Sequence, residues 1–490
     1  MSTVEVAVGY RTIIGLEVHA QVLTNSKMYC GCSADYANAA PNTHVCPVCL
    51  GLPGALPVMN GAAIETAVRT GLALKCTIPD YSKMDRKNYV YPDLPKGYQI
   101  SQYDLPLCIN GGITFDVDGE VVTAGITRVH IEEDTGRLVH EESYDGSATL
   151  VDLNRSGVPL MEIVGEPDLT SPAEAREYLV ALRQMVRYTG ASTGNMEDGA
   201  FRCDANISIR ALDDSFIGPK VEIKNMNSFR SVERALAYEE VRQREEVAKG
   251  GTLVQETRGW SEARGVTMSQ RTKEQAHDYR YFPEPDLPPL SIDNATRERL
   301  SQSLPELPAA RFRRFVDTLG IAPSDAATLS NERAIADTFE ASLPNNPAVE
   351  VRQATANWIV NDLMGLARSR SLPLDQLPLD ANQISDLVCL VREGTLTGRA
   401  AKDLLPQLKA GESVKDGASR LNLLSMDNTD EVLEAARQVV AGNPAAVADY
   451  TGGKQAAIGR LIGETMRKTG GRAKPDDVRA MLLRVLEDAS

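Results

Sequence analysis

Short stretches of the first 295 residues alternate apolar and polar side chains with a period of two, the pattern of strands that bury one face. Residues 14–22, 126–133, 149–154, 160–164, 203–210 and 221–224 all read this way. In the first, Leu16, Val18, Ala20 and Val22 share one face and Glu17, His19 and Gln21 the other. In 203–210, Cys203, Ala205, Ile207 and Ile209 are apolar, leaving Asp204, Asn206, Ser208 and Arg210 together. Asp152 and Asn154 are the polar partners in 149–154, Glu162 stands alone in 160–164, and Glu222 and Lys224 pair in 221–224. The spacing predicts helices over 62–75 and 172–188, the second opening on Ser171 as cap and Pro172 at the first helical position.

The character of the chain changes after YRYFPEPDLPPL, residues 279–290, whose prolines fit neither a helix interior nor a central strand. Helical patterns follow over 298–304, 309–319, 334–343 and 354–367, and a shorter helical unit begins near Glu412. The expected architecture is therefore α+β, an antiparallel-sheet body followed by an all-α domain and a small all-α tail. The boundaries expected are 1–295, 296–411 and 412–490.

Composition narrows the function. Acidic residues outnumber basic ones by 67 to 52, a net charge of −15, which argues against coating nucleic acid by bulk charge. An RNA partner then requires cations gathered in one place, and the tail provides them in Lys454, Arg460, Arg467 and Lys468. Arg460, Arg467 and Lys468 recur near one helical stripe, and Gly459 and Gly463 would let another backbone approach that helix. A solvated helix face accounts for the same charges equally well. The amino terminus lacks the basic and apolar regions of a leader, and no apolar run is long enough to cross a bilayer. A cytoplasmic protein without membrane contact is expected.

Cys30 and Cys32 are followed, after thirteen residues, by Cys46 and Cys49. Two close pairs so spaced can place four thiolates tetrahedrally around one structural zinc, with His44 as a substitute ligand. The polar sheet face has two readings: a solvated outer surface, or a floor that binds Mg²⁺ and phosphate through its carboxylates. In HIEED, residues 130–134, adjacent Glu132 and Glu133 face opposite ways in a regular strand, and a strand end or bulge brings either inward.

Several long motifs occur in one order: YRTIIGLEVHAQVLTNSKMYC, MDRKNYVYPDLPKGYQISQYDLPL, GITRVHIEEDTGRLVH, LVDLNRSGVPLMEIVGEPDL, RCDANISIR, KVEIKNMNSFRSVERAL and DYRYFPEPDLPPL. Together they resemble the B subunit of the bacterial glutamine-dependent aspartyl/glutamyl-tRNA amidotransferase, from Thr12 through the tail. The resemblance implies a cradle domain related to glutamine synthetase, then a helical domain and a tRNA-binding tail domain. It implies a heterotrimer in which a separate amidase releases ammonia from glutamine and a small third protein braces the other two. The activity implied is that of a carbon–nitrogen ligase of protein biosynthesis, amidating misacylated Glu-tRNA(Gln) or Asp-tRNA(Asn) with ATP. It places Mg²⁺ on His19, Glu133 and Glu162, with Glu17 in the same pocket. Arg86 and Lys87 fall where the family handles nucleotide phosphate, and Asp204 and Asn206 in the same cavity. The zinc cluster occurs in only some members.

Two other functions compete with this one. A stand-alone carboxylate–amine ligase would consume ATP with free glutamate, without tRNA. A non-catalytic zinc-containing tRNA adaptor would have no use for carboxylates and His19 in one cavity. The archaeal Glu-tRNA-specific relative carries an inserted domain for which 490 residues leave no room.

Overall fold

The structure, a computed structural model, describes residues 9–143, 146–272, 279–425 and 429–488; residues 1–8, read above for a leader, lie outside them. Two compact units divide the chain, Met1–Leu307 and Pro308–Ser490. The first runs β1 (Tyr10–Gln21), α1 (Gly61–Ala73), β2 (Tyr81–Ser82), β3 (Asp85–Asn88), β4 (Tyr98–Ser101), β5 (Cys108–Val117) and β6 (Glu120–Glu133). It continues through β7 (Arg137–Ser143), β8 (Gly146–Asp152), β9 (Pro159–Gly165), α2 (Pro172–Tyr188), β10 (Phe201–Ala211), β11 (Val221–Lys224) and α3 (Phe229–Ala248). β12 (Glu256–Ser261), β13 (Val266–Thr272), β14 (Phe282–Pro283), β15 (Leu290–Ser291) and α4 (Asn294–Gln302) complete it.

Eight strands form one sheet in the order β13-β12-β11-β10-β1-β9-β6-β5, antiparallel throughout except for β11 and β12. The fold is α+β, as the alternation predicts. In β1 the apolar set Ile14, Leu16, Val18 and Ala20 is at most 1% exposed, whereas Glu17, His19 and Gln21 are half-buried on the other face. Burying a side chain such as Leu16 or Val18 is worth about 1.5–3 kcal/mol. Helices α1, α2 and α3 close over the apolar face. α2 begins as predicted, the Ser171 hydroxyl accepting from the Glu174 N–H at 3.2 Å ahead of Pro172. The polar face is left for β3, β4 and β14, a separate small sheet that brings Lys87 towards it.

Two elements differ from the pattern reading. Among the described residues, 149–154 do not join the large sheet, and β8 pairs with β7 in a ribbon. Asp152 and Asn154 therefore accept backbone N–H groups, of Asn42 and Asn154 and of His44 respectively, and fix the cysteine loop instead of lining the sheet. Helix α3 is not among the predicted helices, because Glu239 and Gln243 occupy buried positions on it and break its apolar stripe. Glu239 is satisfied there by Arg242, Gln243 and Thr267.

The second unit is helical: α5 (Pro308–Asp317), α6 (Pro323–Ser330), α7 (Arg333–Ala341), α8 (Val349–Asn357), α9 (Met364–Ser369), α10 (Ala381–Arg392), α11 (Gly398–Leu404) and α12 (Val414–Arg420). α13 (Thr429–Gly442), α14 (Pro444–Thr451), α15 (Ala457–Lys468) and α16 (Pro475–Asp488) follow. The helix expected over 354–367 is interrupted by a π-helical turn, Trp358–Leu363, between α8 and α9. Two separate apolar clusters hold the unit, one including Phe315, Phe339, Leu387 and Ala418, the other Val432, Leu461, Val478 and Leu482.

Candidate active site

Strand register assembles the site. His130 of β6 lies opposite Glu162 of β9, Glu162 opposite His19 of β1, and His19 opposite Arg202 of β10. A second row places Glu17 beside Asp204. These side chains share the polar face and line an open cleft of about 480 Å³ with Glu132, Lys87, Arg128, Glu222 and Lys224. That volume falls in the range of small-molecule sites.

His19 Nε2 is 3.3 Å from Glu162 Oε2 and 3.8 Å from Glu132 Oε1. One ligand atom each from His19, Glu132 and Glu162 lies within 4.8 Å of the others, close enough to share an ion. His130 Nε2 is 3.3 Å from Glu162, and Ser101 donates to Glu132 at 2.9 Å. Burial pushes the His19 pKa down, but Glu162, then Glu132 and Asp204, outweigh it and raise it to about 9. Burial pushes Glu162 up, yet His130 and His19 hold it well below the usual carboxylate range. The site thus concentrates negative charge where two carboxylates and an imidazole meet, and that donor set fits a divalent cation completed by water or phosphate oxygens.

Lys87 enters from β3, its Nζ 5.0 Å from the Tyr279 ring centroid and 5.9 Å from that of Tyr89. Burial lowers its pKa, but Glu132, Tyr281 and Glu162 raise it further, so the group stays an ammonium. Asp204 accepts from Lys224 at 2.6 Å. Asn206 donates to Glu17 at 2.9 Å and so steadies the cleft's edge. Tyr103 and Tyr281 stack at 4.5 Å on the rim.

Two expected residues face elsewhere. The carboxylate beside His19 and Glu162 is Glu132, not Glu133. β6 keeps its alternation to the end, so Glu132 shares the face of His130 while Glu133 turns away to pair with Lys96 and accept from the Ile100 N–H at 3.0 Å. Arg86 likewise points opposite to its neighbour Lys87. Its guanidinium is held bidentately by Glu284 at 2.6 and 2.7 Å, over the Tyr98 ring at 4.3 Å. The signal for Glu132 was the shared parity of positions 130 and 132, and the signal for Arg202 was one further step back along its strand. Tyr279 and Tyr281, in the proline-rich segment, carry no periodic signal.

The four thiols of Cys30, Cys32, Cys46 and Cys49 also converge within 4.8 Å. The Cys46 and Cys49 sulfurs are 3.9 Å apart, near the ~3.8 Å that tetrahedral bonds of about 2.3 Å impose. Cys30 donates to Cys49 and, with Cys46 and Lys27, holds it as the thiolate, its pKa near 4 against the push of burial. Fully buried Lys27 donates to the carbonyls of His44 at 2.7 Å and Leu153 at 3.4 Å, its Nζ 3.7 Å from Cys49 Sγ. The donor set fits one metal ion of the zinc type, with a lysine against its excess charge. The His44 imidazole is outside the cluster.

In the tail, Arg467 and Lys468 are exposed in the last turn of α15 beside a shallow cleft of about 450 Å³. Lys454 pairs with Asp449 at 2.8 Å, and Arg460 lies 3.6 Å from Glu464, which interrupts the basic stripe. A Cβ at Gly459 or Gly463 would meet no atom within 4 Å, so that side of the helix is open.

Fold and cleft define the class: an α+β protein whose helix-backed sheet carries a cleft lined by carboxylates, histidines and cationic side chains, followed by a helical unit. Residues 12–298 match the family described as the GatB/GatE catalytic domain, and residues 337–486 match the GatB domain. The chain is 55% identical over 481 residues to the B subunit of the aspartyl/glutamyl-tRNA(Asn/Gln) amidotransferase of Thermomicrobium roseum, covering 98% of each chain. It is 48% identical to the B subunits of the same name from Moorella thermoacetica, over 96% of this chain and 99% of that one, and from Dehalococcoides mccartyi, over 98% and 99%. The chain belongs to the family of amidotransferase B subunits.

Proposed function

We propose that this chain is the ATP-using, tRNA-handling component of an amidotransferase that converts Glu-tRNA(Gln), Asp-tRNA(Asn) or both into the amidated forms. The observation that carries the reading is the convergence of His19, Glu132 and Glu162 beside Lys87 in one cleft. A carboxylate is a poor acyl donor because oxide would have to leave. Transfer of the γ-phosphoryl group of ATP to the substrate's side-chain carboxylate makes an acyl phosphate and ADP. Ammonia then attacks the carbonyl carbon, phosphate leaves, and the amide remains. Mg²⁺ held by His19, Glu132 and Glu162 would offset charge on the phosphoryl oxygens. Lys87 adds a fixed positive charge, and Glu17, held by Asn206, and Asp204, held by Lys224, shape the floor. An acyl phosphate is vulnerable to water, and the stacked Tyr103 and Tyr281 stand where the cleft opens to it.

The cradle likeness to glutamine synthetase belongs to this reading, supported by the helix-backed sheet with its polar face open. Zinc in the cysteine cluster, ammonia from a separate amidase, a small bracing partner that completes a heterotrimer, and a cytoplasmic location belong to it also. So do three domains, with the tail's Lys454, Arg460, Arg467 and Lys468 meeting the tRNA backbone. In the heterotrimer, Glu162→Ala is expected to cut ATP-dependent amidation by about 100-fold or more while glutaminase activity continues. Unchanged amidation would remove Glu162 from the mechanism. ATP consumption with free glutamate alone would favour the stand-alone ligase.

A further inference from the structure

The cysteine loop is wired to the cleft by side chains. Between the two cysteine pairs, the half-buried Tyr36 presents its hydroxyl to Gln21, at the end of β1. Gln21 Nε2 donates to that hydroxyl at 2.9 Å and to Asp134 Oδ2 at 2.9 Å. The amide orientation is fixed by chemistry, since the flipped form would set its carbonyl oxygen against a carboxylate. Asp134 Oδ1 accepts from Arg202 Nη2 at 3.1 Å and from the Thr135 N–H at 3.0 Å. The backbone adds a parallel tie: the Asp134 carbonyl accepts from the Gly157 N–H at 2.9 Å, and the Gly157 carbonyl from the Met28 N–H at 2.7 Å, two residues before Cys30.

Arg202 at the far end of this chain of contacts lies opposite His19 in the sheet and lines the cleft. A guanidinium has five N–H donors. Among the described residues Arg202 uses one, on Asp134, and its side chain is 36% exposed, so the rest of the fork is open to the cleft. A planar fork anchored at one corner is the arrangement that binds a carboxylate or phosphoryl oxyanion in two-pronged fashion.

We propose that Arg202 contacts an oxyanion of the reacting groups, and that the cysteine loop sets its position through Tyr36, Gln21 and Asp134. This rests on the reading above that the cleft takes ATP and an acyl carboxylate. Arg202 is the contacting residue; Tyr36, Gln21 and Asp134 are positioning residues. A metal held by the four thiols would close the loop that carries Tyr36, making the cluster a support for the cleft as well as a prop for local folding.

Calorimetry of Mg-ATP binding to the full chain, paired with kinetics of the heterotrimeric enzyme on misacylated tRNA, separates the possible oxyanions. Arg202→Ala weakens Mg-ATP binding by about tenfold or more if the oxyanion is phosphoryl; if it is the substrate carboxylate, KM for misacylated tRNA rises instead. Arg202→Lys, a charge without the fork, recovers only part. Tyr36→Phe, and Gln21→Met as a second variant, shift the same constant in the same direction by about threefold to tenfold, with metal content and melting temperature unchanged. Removing the metal from wild type has the effect of Tyr36→Phe and adds little to it. Wild-type constants in Arg202→Ala overturn the contact, and wild-type constants in both loop variants overturn the coupling, each leaving the proposed function standing. A wild-type enzyme that neither binds Mg-ATP nor amidates overturns both.

Discussion

Neighbouring residues on β3 are sent to opposite fates by strand alternation, and the difference is measurable. Lys87 faces the acidic cleft, where removing its ammonium leaves Glu132 and Glu162 less compensated. Arg86 faces away and neutralises Glu284, whose side chain is fully buried. Lys87→Ala is expected to raise KM for ATP or lower kcat by about 100-fold with little change in Tm. Arg86→Ala leaves a buried carboxylate unpaired and is expected to cost about 3–5 kcal/mol of stability with KM for ATP unchanged in the folded fraction. Thermal melts beside steady-state kinetics separate the two, and a stability loss confined to Lys87→Ala would reverse the assignment. The same rule distinguishes Glu132 from Glu133, the latter being committed to Lys96 and the Ile100 N–H.

At the scale of elements, closure of the cysteine loop by a metal on its four thiols would have a consequence independent of catalysis. The loop holds β8 and the segment after it through Asn42, His44 and Lys27. Cys46→Ser, or chelation, is expected to lower the melting temperature of the first unit, with one metal ion lost per chain by elemental analysis. An unchanged melt with the metal gone would show the loop to be held by its hydrogen bonds alone. Ser171→Ala tests a smaller feature: loss of the α2 cap is expected to cost about 1 kcal/mol in denaturant unfolding.

These elements also show what the amino-acid sequence makes legible. The β1, β9 and β10 strands and the α2 cap were readable because each has an unbroken period and a local signal, and the polar face of the sheet followed from parity alone. Residues 149–154 read as one more strand of the polar face, whereas they pair with β7, because alternation marks a strand without saying which sheet it joins. Helix α3 was missed because its buried Glu239 and Gln243 find partners on β13 and α3 itself, which periodicity cannot register. The resemblance points to Glu133, whereas positions 130 and 132 share the parity that puts Glu132 on the cleft face. The tyrosine rim comes from a segment held by two-residue strands, whose placement depends on tertiary pairing with β2 and β3.

For the whole molecule, the proposed function assigns ATP to the first unit and the tRNA backbone to the cations of the tail, within a net charge of −15. Val414 and Ala418 belong to the first apolar cluster of the second unit, so a truncation that spares that core begins at residue 429. Such a truncation is expected to weaken tRNA binding and flatten its salt dependence while leaving Mg-ATP affinity intact. Undiminished tRNA binding would place the RNA contacts elsewhere. The cation site is the claim on which the catalytic account depends, and Mn²⁺ titration followed by electron paramagnetic resonance tests it most directly. Wild type and Glu133→Gln are each expected to bind one ion in the cleft in the presence of ATP, and Glu132→Gln to lose it. Retention of that ion by Glu132→Gln, with its loss in Glu133→Gln, would contradict the account.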